Sequence, residues 1–205
     1  MALGAAVPRL RRLPVSGGPD ELLPALRRGD HEAFRQVAEA EVDAIYAVAC
    51  GILGSSEDAE DACQEVLLRL YQAAPRLLPN TTLRPWLRRV CVNYCLDECR
   101  RRRRRRMLTQ DPANLDAASS QPGPEQAVEE TAFRRAVARA LAQLTPKQRA
   151  VFVLRHFRGC SVRETAEILG SAEGTVKAQL SRAVRRLQQA LSEWRPASPE
   201  VPANE

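Results

Sequence analysis

Residues 145–191 read TPKQRAVFVLRHFRGCSVRETAEILGSAEGTVKAQLSRAVRRLQQAL, and this stretch decides the fold. Thr145-Pro146-Lys147-Gln148 opens a helix: threonine caps, proline fits the first helical position, and Gln148 stands where a capping box reaches back. Ser161-Val162-Arg163-Glu164 repeats the device and opens a second helix, which stops at Gly170, the residue that most easily turns left-handed. Ser171 is expected to cap a third helix, with Glu173 in its first turn. In that helix Val176, Leu180, Ala183, Val184, Leu187 and Leu191 recur at three- and four-residue steps and form one buried stripe. Gly174, Ala178, Ser181, Arg182 and Arg185 fall on the opposite face, with Thr175, Lys177 and Arg186 beside it. Small residues, hydroxyls and arginines on an exposed face suit a helix-turn-helix that lies in a major groove. The alternative is a helical bundle with a solvated basic face.

Outward from this stretch, the 205 residues carry a formal net charge of +6, which favours a polyanionic partner without identifying it. Aromatics are only 4% of the chain, so the cores must rely on Leu, Val and Ala. No apolar run approaches the length of a membrane span. Residues 1–19 hold Arg9, Arg11 and Arg12, no acid and no sustained apolar stretch, and read as a disordered basic arm rather than a secretory signal. Cys91, Cys95 and Cys99 lie four apart on one helical face, beside other apolar positions, and read as buried thiols acting as small hydrophobes.

Residues 20–106 read as a helical domain. Asp20 and Asp30 are candidate caps, and Phe34, Val37, Ile45, Val48 and Ile52 point to a core before the helix ends near Gly51 to Gly54. Ser55-Ser56-Glu57-Asp58 starts the next helix, with Ala59, Ala62, Cys63, Val66, Leu67 and Leu70 as its stripe and Pro75 as its stop. Leu83, Trp86, Leu87, Val90, Cys91, Tyr94 and Cys95 form the stripe of another, which runs into seven consecutive arginines, Arg100 to Arg106. Such a block repels itself and is expected to stay in water or meet a polyanion. Residues 107–126 are acidic and rich in Pro and Ser and read as a flexible linker. Residues 127–194 form the second domain, beginning with a helix over Ala132 to Leu144, and residues 195–205 a disordered tail. The fold class is all-α, with two helical domains.

Asp58-Ala59-Glu60-Asp61-Ala62-Cys63-Gln64-Glu65-Val66, Arg84-Pro85-Trp86-Leu87-Arg88-Arg89-Val90 with Asn93 and Asp97, Leu144-Thr145-Pro146-Lys147-Gln148-Arg149, and Gly174-Thr175-Val176-Lys177 follow one another in that order. In this order, with a short linker, the chain resembles a bacterial RNA polymerase sigma factor of the extracytoplasmic-function (ECF) type over about residues 20 to 191. The resemblance implies a sigma region 2 like domain over 20–106 and a sigma region 4 like helix-turn-helix over 127–194, winged-helix-like but without a wing. It implies core RNA polymerase and promoter DNA as partners. Asp58, Asp61, Gln64 and Glu65 would face the clamp helices of the largest subunit, and the C-terminal domain the flap region. Asn80, Thr81, Trp86, Arg89, Asn93, Asp97, Arg100 and Arg101 would meet the minus-ten element, with a base flipped out near Asn80 to Thr82. Arg163, Glu173, Gly174, Thr175, Lys177, Ala178, Ser181, Arg182 and Arg185 would meet the minus-thirty-five element.

Trp86 could stack on a base or pack in the core, Glu173 could accept from a cytosine amino group or only balance the helix dipole, and Arg163 could clamp a phosphate or only solvate its helix. Gln179 stands where many relatives carry arginine, and Ala178 where they often carry serine. An anti-sigma factor is a further implied partner, and the bacterial cytoplasm the implied location. The residues assign no catalytic group, cofactor or metal. The alternative function is a stand-alone dimeric helix-turn-helix regulator. A recombinase would need a catalytic serine with convergent arginines, and Ser55 and Ser56 read as caps.

Overall fold

The computed structural model describes residues 18–109 and 136–192, and all the regular structure among them is helical. A 3-10 turn at Pro19–Leu22 leads into α1 (Leu23–Arg27). Then come α2 (His31–Leu53), α3 (Ser56–Ala73), a 3-10 turn at Ala74–Arg76 that contains Pro75, and α4 (Leu83–Thr109). The Asp30 carboxylate accepts from the Glu32 and Ala33 backbone N–H groups at 2.9 and 3.1 Å, satisfying donors that the first turn of α2 leaves free. α2 ends at Gly54, left-handed at φ 77°, so Gly51 lies inside the helix. Ser55 caps α3 by accepting from the Asp58 N–H. Asp20 caps a different helix from the one expected. Its carboxylate accepts from the Leu83 N–H at 2.6 Å, at the start of α4, because the chain before α1 packs against that end.

Val37, Ile45, Val48 and Ile52 of α2 meet Ala59, Ala62, Cys63, Val66 and Leu70 of α3 and Leu83, Leu87, Cys91 and Cys95 of α4 in one buried cluster. Phe34, Leu67, Trp86, Val90 and Tyr94 pack at its edge, half-buried. Glu41 is buried on the same side of α2 and accepts from Arg84 Nε at 2.8 Å, which supplies the partner a buried carboxylate requires.

In the second unit, residues 136–142 form α5. α6 (Pro146–Phe152) continues as a π-helical turn at Val153–Phe157, and α7 (Val162–Leu169) and α8 (Glu173–Ser192) follow. Both capping boxes are complete: Thr145 with Gln148, and Ser161 with Glu164. Gly170 ends α7 at φ 57°. Ser171 does not cap α8. Its N–H returns to the Ala166 carbonyl, the six-to-one bond of a Schellman ending, and its hydroxyl donates to the Leu169 carbonyl. Ser171 is used to close α7, and the first carbonyl of α8 to accept is that of Ala172. Ala183 and Leu187 of α8 pack on Ala140 and Leu144, and Val176 packs with Val151 and Ala166.

The two units are joined through a common core. Ala150, Val153, Leu154, Cys160 and Ile168 belong to the same cluster as the buried faces of α2, α3 and α4. α4 packs against α6 and α7 as well, and Val92, outside the expected stripe, is fully buried. The basic arm over residues 1–19, the linker over 107–126, the start of the helix expected from Ala132, and the tail over 195–205 lie outside the described residues, except Gly18, Pro19 and 107–109.

Leu70 and Leu68 sit two residues apart on α3 but are 0% and 50% exposed. Leu70→Ala is expected to cost about 2–5 kcal/mol, and Leu68→Ala to stay within about 0.5 kcal/mol, in urea unfolding followed by circular dichroism. Equal losses would contradict the packing of α3.

Candidate partner and nucleic-acid interfaces

The acidic side of α3 follows from its period: Asp58, Asp61, Gln64 and Glu65 recur at three- and four-residue steps, opposite the Ala59–Leu70 stripe. Asp61 and Gln64 are exposed. Asp58 is half-buried and receives Arg102 Nη1 at 2.6 Å, and Glu65 receives Arg69 Nε at 2.8 Å. The four share a face, but two of them already have partners within the chain. The same face continues into Leu68 and Tyr71, both about half exposed. Tyr71 is braced by an edge contact with Phe34 at 5.5 Å between ring centroids. Sequence reading passed over this apolar pair, although the step from Gln64 to Leu68 to Tyr71 extends the exposed face. An acidic and polar ridge ending in exposed apolar groups suits a basic helical partner that also offers apolar contact.

On α4, Arg89 and Asn93 are exposed one turn apart, and Asp97 pairs with Arg100 at 2.5 Å. Asn80 is exposed in the turn before the helix, while Thr81 donates its N–H to the Leu78 carbonyl. Trp86 is half-buried against the core, so only part of its ring is open to a base.

The arginine run departs from expectation. α4 continues through it, and the run is tied back rather than wholly in water. Glu98, mostly buried, receives Arg101, Arg102 and Arg105, and Arg102 bridges on to Asp58 at the start of α3. One carboxylate facing several guanidiniums lowers the self-repulsion that would otherwise unwind the block. All of the run but Arg102 is exposed and gives α4 a basic outer edge.

On α8, Glu173, Gly174, Thr175, Lys177, Ala178, Ser181, Arg182 and Arg185 are all exposed, so the face read from sequence is open. Arg163 of α7 is exposed and pairs with Glu167 at 3.0 Å. His156, Leu180 and Val184 join Lys177, Ser181 and Arg185 along a shallow groove beside this face. Glu173 stands in the first turn of the helix, where a carboxylate is favoured by the dipole and can also accept from a base.

The six cysteines are free thiols. Cys91 and Cys95 are buried as expected, and Cys99 half-buried. Cys91 Sγ donates to the Ile45 carbonyl at 3.7 Å. Burial pushes the Cys63 thiol up to about 11, and a hydrogen bond with Cys91 together with burial raises Cys95. Both stay protonated and poorly nucleophilic near neutral pH.

Two family models match the chain: "Sigma-70 region 2" over residues 37–105 and "Sigma-70, region 4" over residues 134–187. The chain is 37% identical to the ECF RNA polymerase sigma factor SigM of Mycobacterium tuberculosis over 172 residues, 83% of each protein. It is 36% identical to SigL of the same species over 167 residues, covering 78% of this chain and 89% of that one. Among solved structures, the sigma factor RpoE of Bartonella quintana, crystallised with the anti-sigma factor NepR, aligns with a TM-score of 0.61 at 26% identity. That alignment covers 80% of this chain and 99% of that one.

The bond from Arg102 holds the Asp58 carboxyl below its ordinary value. A carboxylate lowered on folding contributes stability above its unfolded pKa, near 4, and that contribution is lost as pH falls through the folded value. Asp58→Asn is therefore expected to have a lower urea midpoint than wild type at about pH 7, with the gap closing below about pH 3. A gap that persists or widens in acid would rule out the Asp58–Arg102 tie as its source.

Proposed function

We propose, from the fact that this chain belongs to the ECF RNA polymerase sigma factors, that it is a promoter-specificity subunit that joins core RNA polymerase, recognises two promoter elements and helps melt the DNA for transcription initiation. The observation that carries this reading is the presence of both regions, in order, in one chain. No covalent step is required of the chain. Specificity and positioning are its whole contribution, and it acts as a non-enzymatic initiation factor.

In this reading Asp61 and Gln64, exposed on α3, make the polar contact with the clamp helices, and Leu68 and Tyr71 supply the apolar part. Charges at such a rim steer docking, while buried apolar groups set how long it lasts. Asp58 and Glu65 act by holding Arg102 and Arg69 in place beside them. Asn93, Asp97, Arg89 and the basic edge of α4 meet the minus-ten element, and the turn at Asn80 and Thr81 receives a base pulled from the stack. Extrusion costs a few kcal/mol, which contacts to the base edge and face must offset. On α8, Lys177, Ser181, Arg182 and Arg185 meet the minus-thirty-five element, with Glu173 reading a cytosine amino group and Arg163 near a phosphate. The flap region of polymerase is the proposed partner of the C-terminal unit. An anti-sigma protein is a proposed regulator, as one accompanies the Bartonella RpoE structure.

Asp61→Ala with Gln64→Ala is expected to remove promoter-dependent transcription in a purified system, with circular dichroism and thermal unfolding unchanged. Arg182→Ala with Arg185→Ala is expected to weaken upstream promoter contact and leave polymerase binding intact. Normal transcription by the folded α3 variant would exclude clamp docking through these residues. Protection of a palindromic site by the chain alone would favour a stand-alone regulator.

A further inference from the structure

Among the described residues, most exposed large apolar side chains stand on elements already accounted for. Leu68 and Tyr71 belong to the α3 ridge, Met107 and Leu108 to the last turn of α4, and Phe157 to the π-helical turn of the second unit. Leu78, 68% exposed, stands on the turn between α3 and α4. A single exposed leucine is ordinary on a protein surface. What sets this one apart is how firmly it is held and what stands beside it. It opens a β-turn that the Thr81 N–H closes by donating to the Leu78 carbonyl at 3.0 Å, with Pro79 and Asn80 between them. Proline at the first central position of a turn has its φ set before the turn forms. Upstream, Leu77 is buried and its N–H donates to the Ala74 carbonyl at 3.3 Å. Downstream, the Trp86 backbone N–H donates to the Thr82 carbonyl at 3.3 Å, and the Asp20 carboxylate holds the Leu83 N–H. The turn is pinned at both ends, and its tip presents Leu78, Pro79 and Asn80, all exposed. One turn thus carries an apolar half, Leu78 and Pro79, and a polar half, Asn80 and Thr81.

We propose that Leu78 is a wedge: as Asn80 and Thr81 take a base out of the duplex, the leucine enters the stack in its place. The inference rests on the function proposed above and adds to it a residue that recognition of the flipped base does not itself require. Extrusion leaves a gap of about 3.4 Å, the spacing of neighbouring base pairs. An empty gap closes again or takes its base back. An apolar side chain that occupies it replaces the lost stacking surface and keeps water out, and leucine and proline are among the side chains that enter base steps in this way. A polar side chain there would lose its water without gaining a partner. Trp86, the aromatic of the same region, is packed at the edge of the core and is not available to leave it. Rigidity serves the same end. A floppy tip would lose its freedom at the moment of insertion, whereas this turn has already lost it on folding. Arg76, exposed two residues before Leu78, is placed to meet a phosphate beside the gap.

The test uses the full chain with core RNA polymerase, on a promoter mapped with the wild-type chain and prepared in two forms. One is fully paired. The other is mismatched through the minus-ten element, so that it is already open and has no stack to enter. Leu78→Ala is expected to slow open-complex formation on the paired template by about tenfold and to change it by less than about twofold on the open one. Leu78→Met, apolar and of similar volume, is expected to keep the wild-type rate on the paired template, and Leu78→Gln, similar in length but polar, to behave as Leu78→Ala. Since the side chain is exposed, all three variants are expected to match wild type in circular dichroism, thermal unfolding and polymerase affinity. A wild-type rate for Leu78→Ala or Leu78→Gln on the paired template would overturn the wedge. An equal loss on both templates would overturn it too, because the contact would then lie on polymerase or on the separated strand and not in the stack. Wild type inactive on both templates would refute the sigma-factor reading and the wedge with it. Active wild type matched by Leu78→Ala would refute the wedge and leave that reading standing.

Discussion

Burial of the apolar face of α2, from Val37 to Ile52, is the constraint that the other helices are arranged to meet. α3 and α4 cover much of it, and in the last turn Gly51 leaves room beside the second unit and Ile52 a carbonyl free to accept. The π-helical turn of the second unit fills that room with Val153, and Arg149 satisfies the carbonyl. One helix thereby organises its own domain and supplies the floor on which the other domain rests. A longer side chain at position 51 would improve the helix locally and degrade the larger structure.

Charge is arranged on the same principle. An exposed arginine block would stretch and fray, yet α4 remains helical through it, with Glu98 pairing Arg101, Arg102 and Arg105 and Asp58 tying Arg102 to α3. These are mostly modest interactions one by one, since partly exposed ion pairs are screened. Their effect is positional. They hold Arg102 half-buried, leave the other arginines of the run on the outer edge, and bring the start of α3 against the far end of α4. The ridge of α3 and the basic edge of α4 are held in fixed relation by the same contacts.

Two exposed faces and one shared seam then divide the work. The α3 ridge, with Leu68 and Tyr71, and the α8 face, with its small residues and arginines, are both open while the units are packed together. The α4 face is only partly free, because Arg88 reaches across to Cys160, ahead of α7, and Arg89 to the Glu167 carbonyl of α7. An arginine serves either role with the same donors, whether toward a helix-end carbonyl or toward a phosphate or base edge.

Much was legible in the residues themselves: the all-helical class, both capping boxes, the Asp30 and Ser55 caps, the left-handed end at Gly170, and the stripes of α2, α3 and α8. Each of these depends on neighbours within a few positions, so spacing and side-chain type suffice. The outward face of α8 was legible for the same reason, being the complement of its stripe. Other features were settled only when distant segments met. Asp20 caps α4 rather than its own helix, Ser171 closes α7 rather than opening α8, Val92 is buried, and Asp58 belongs to Arg102. Gly51 reads as a helix end in the sequence and is a point of contact between domains in the fold. In every one of these cases the side chain had two partners within its chemical reach, and local spacing cannot rank them. Which partner wins is decided by the path of the backbone tens of residues away, and that path exists only once the helices have packed.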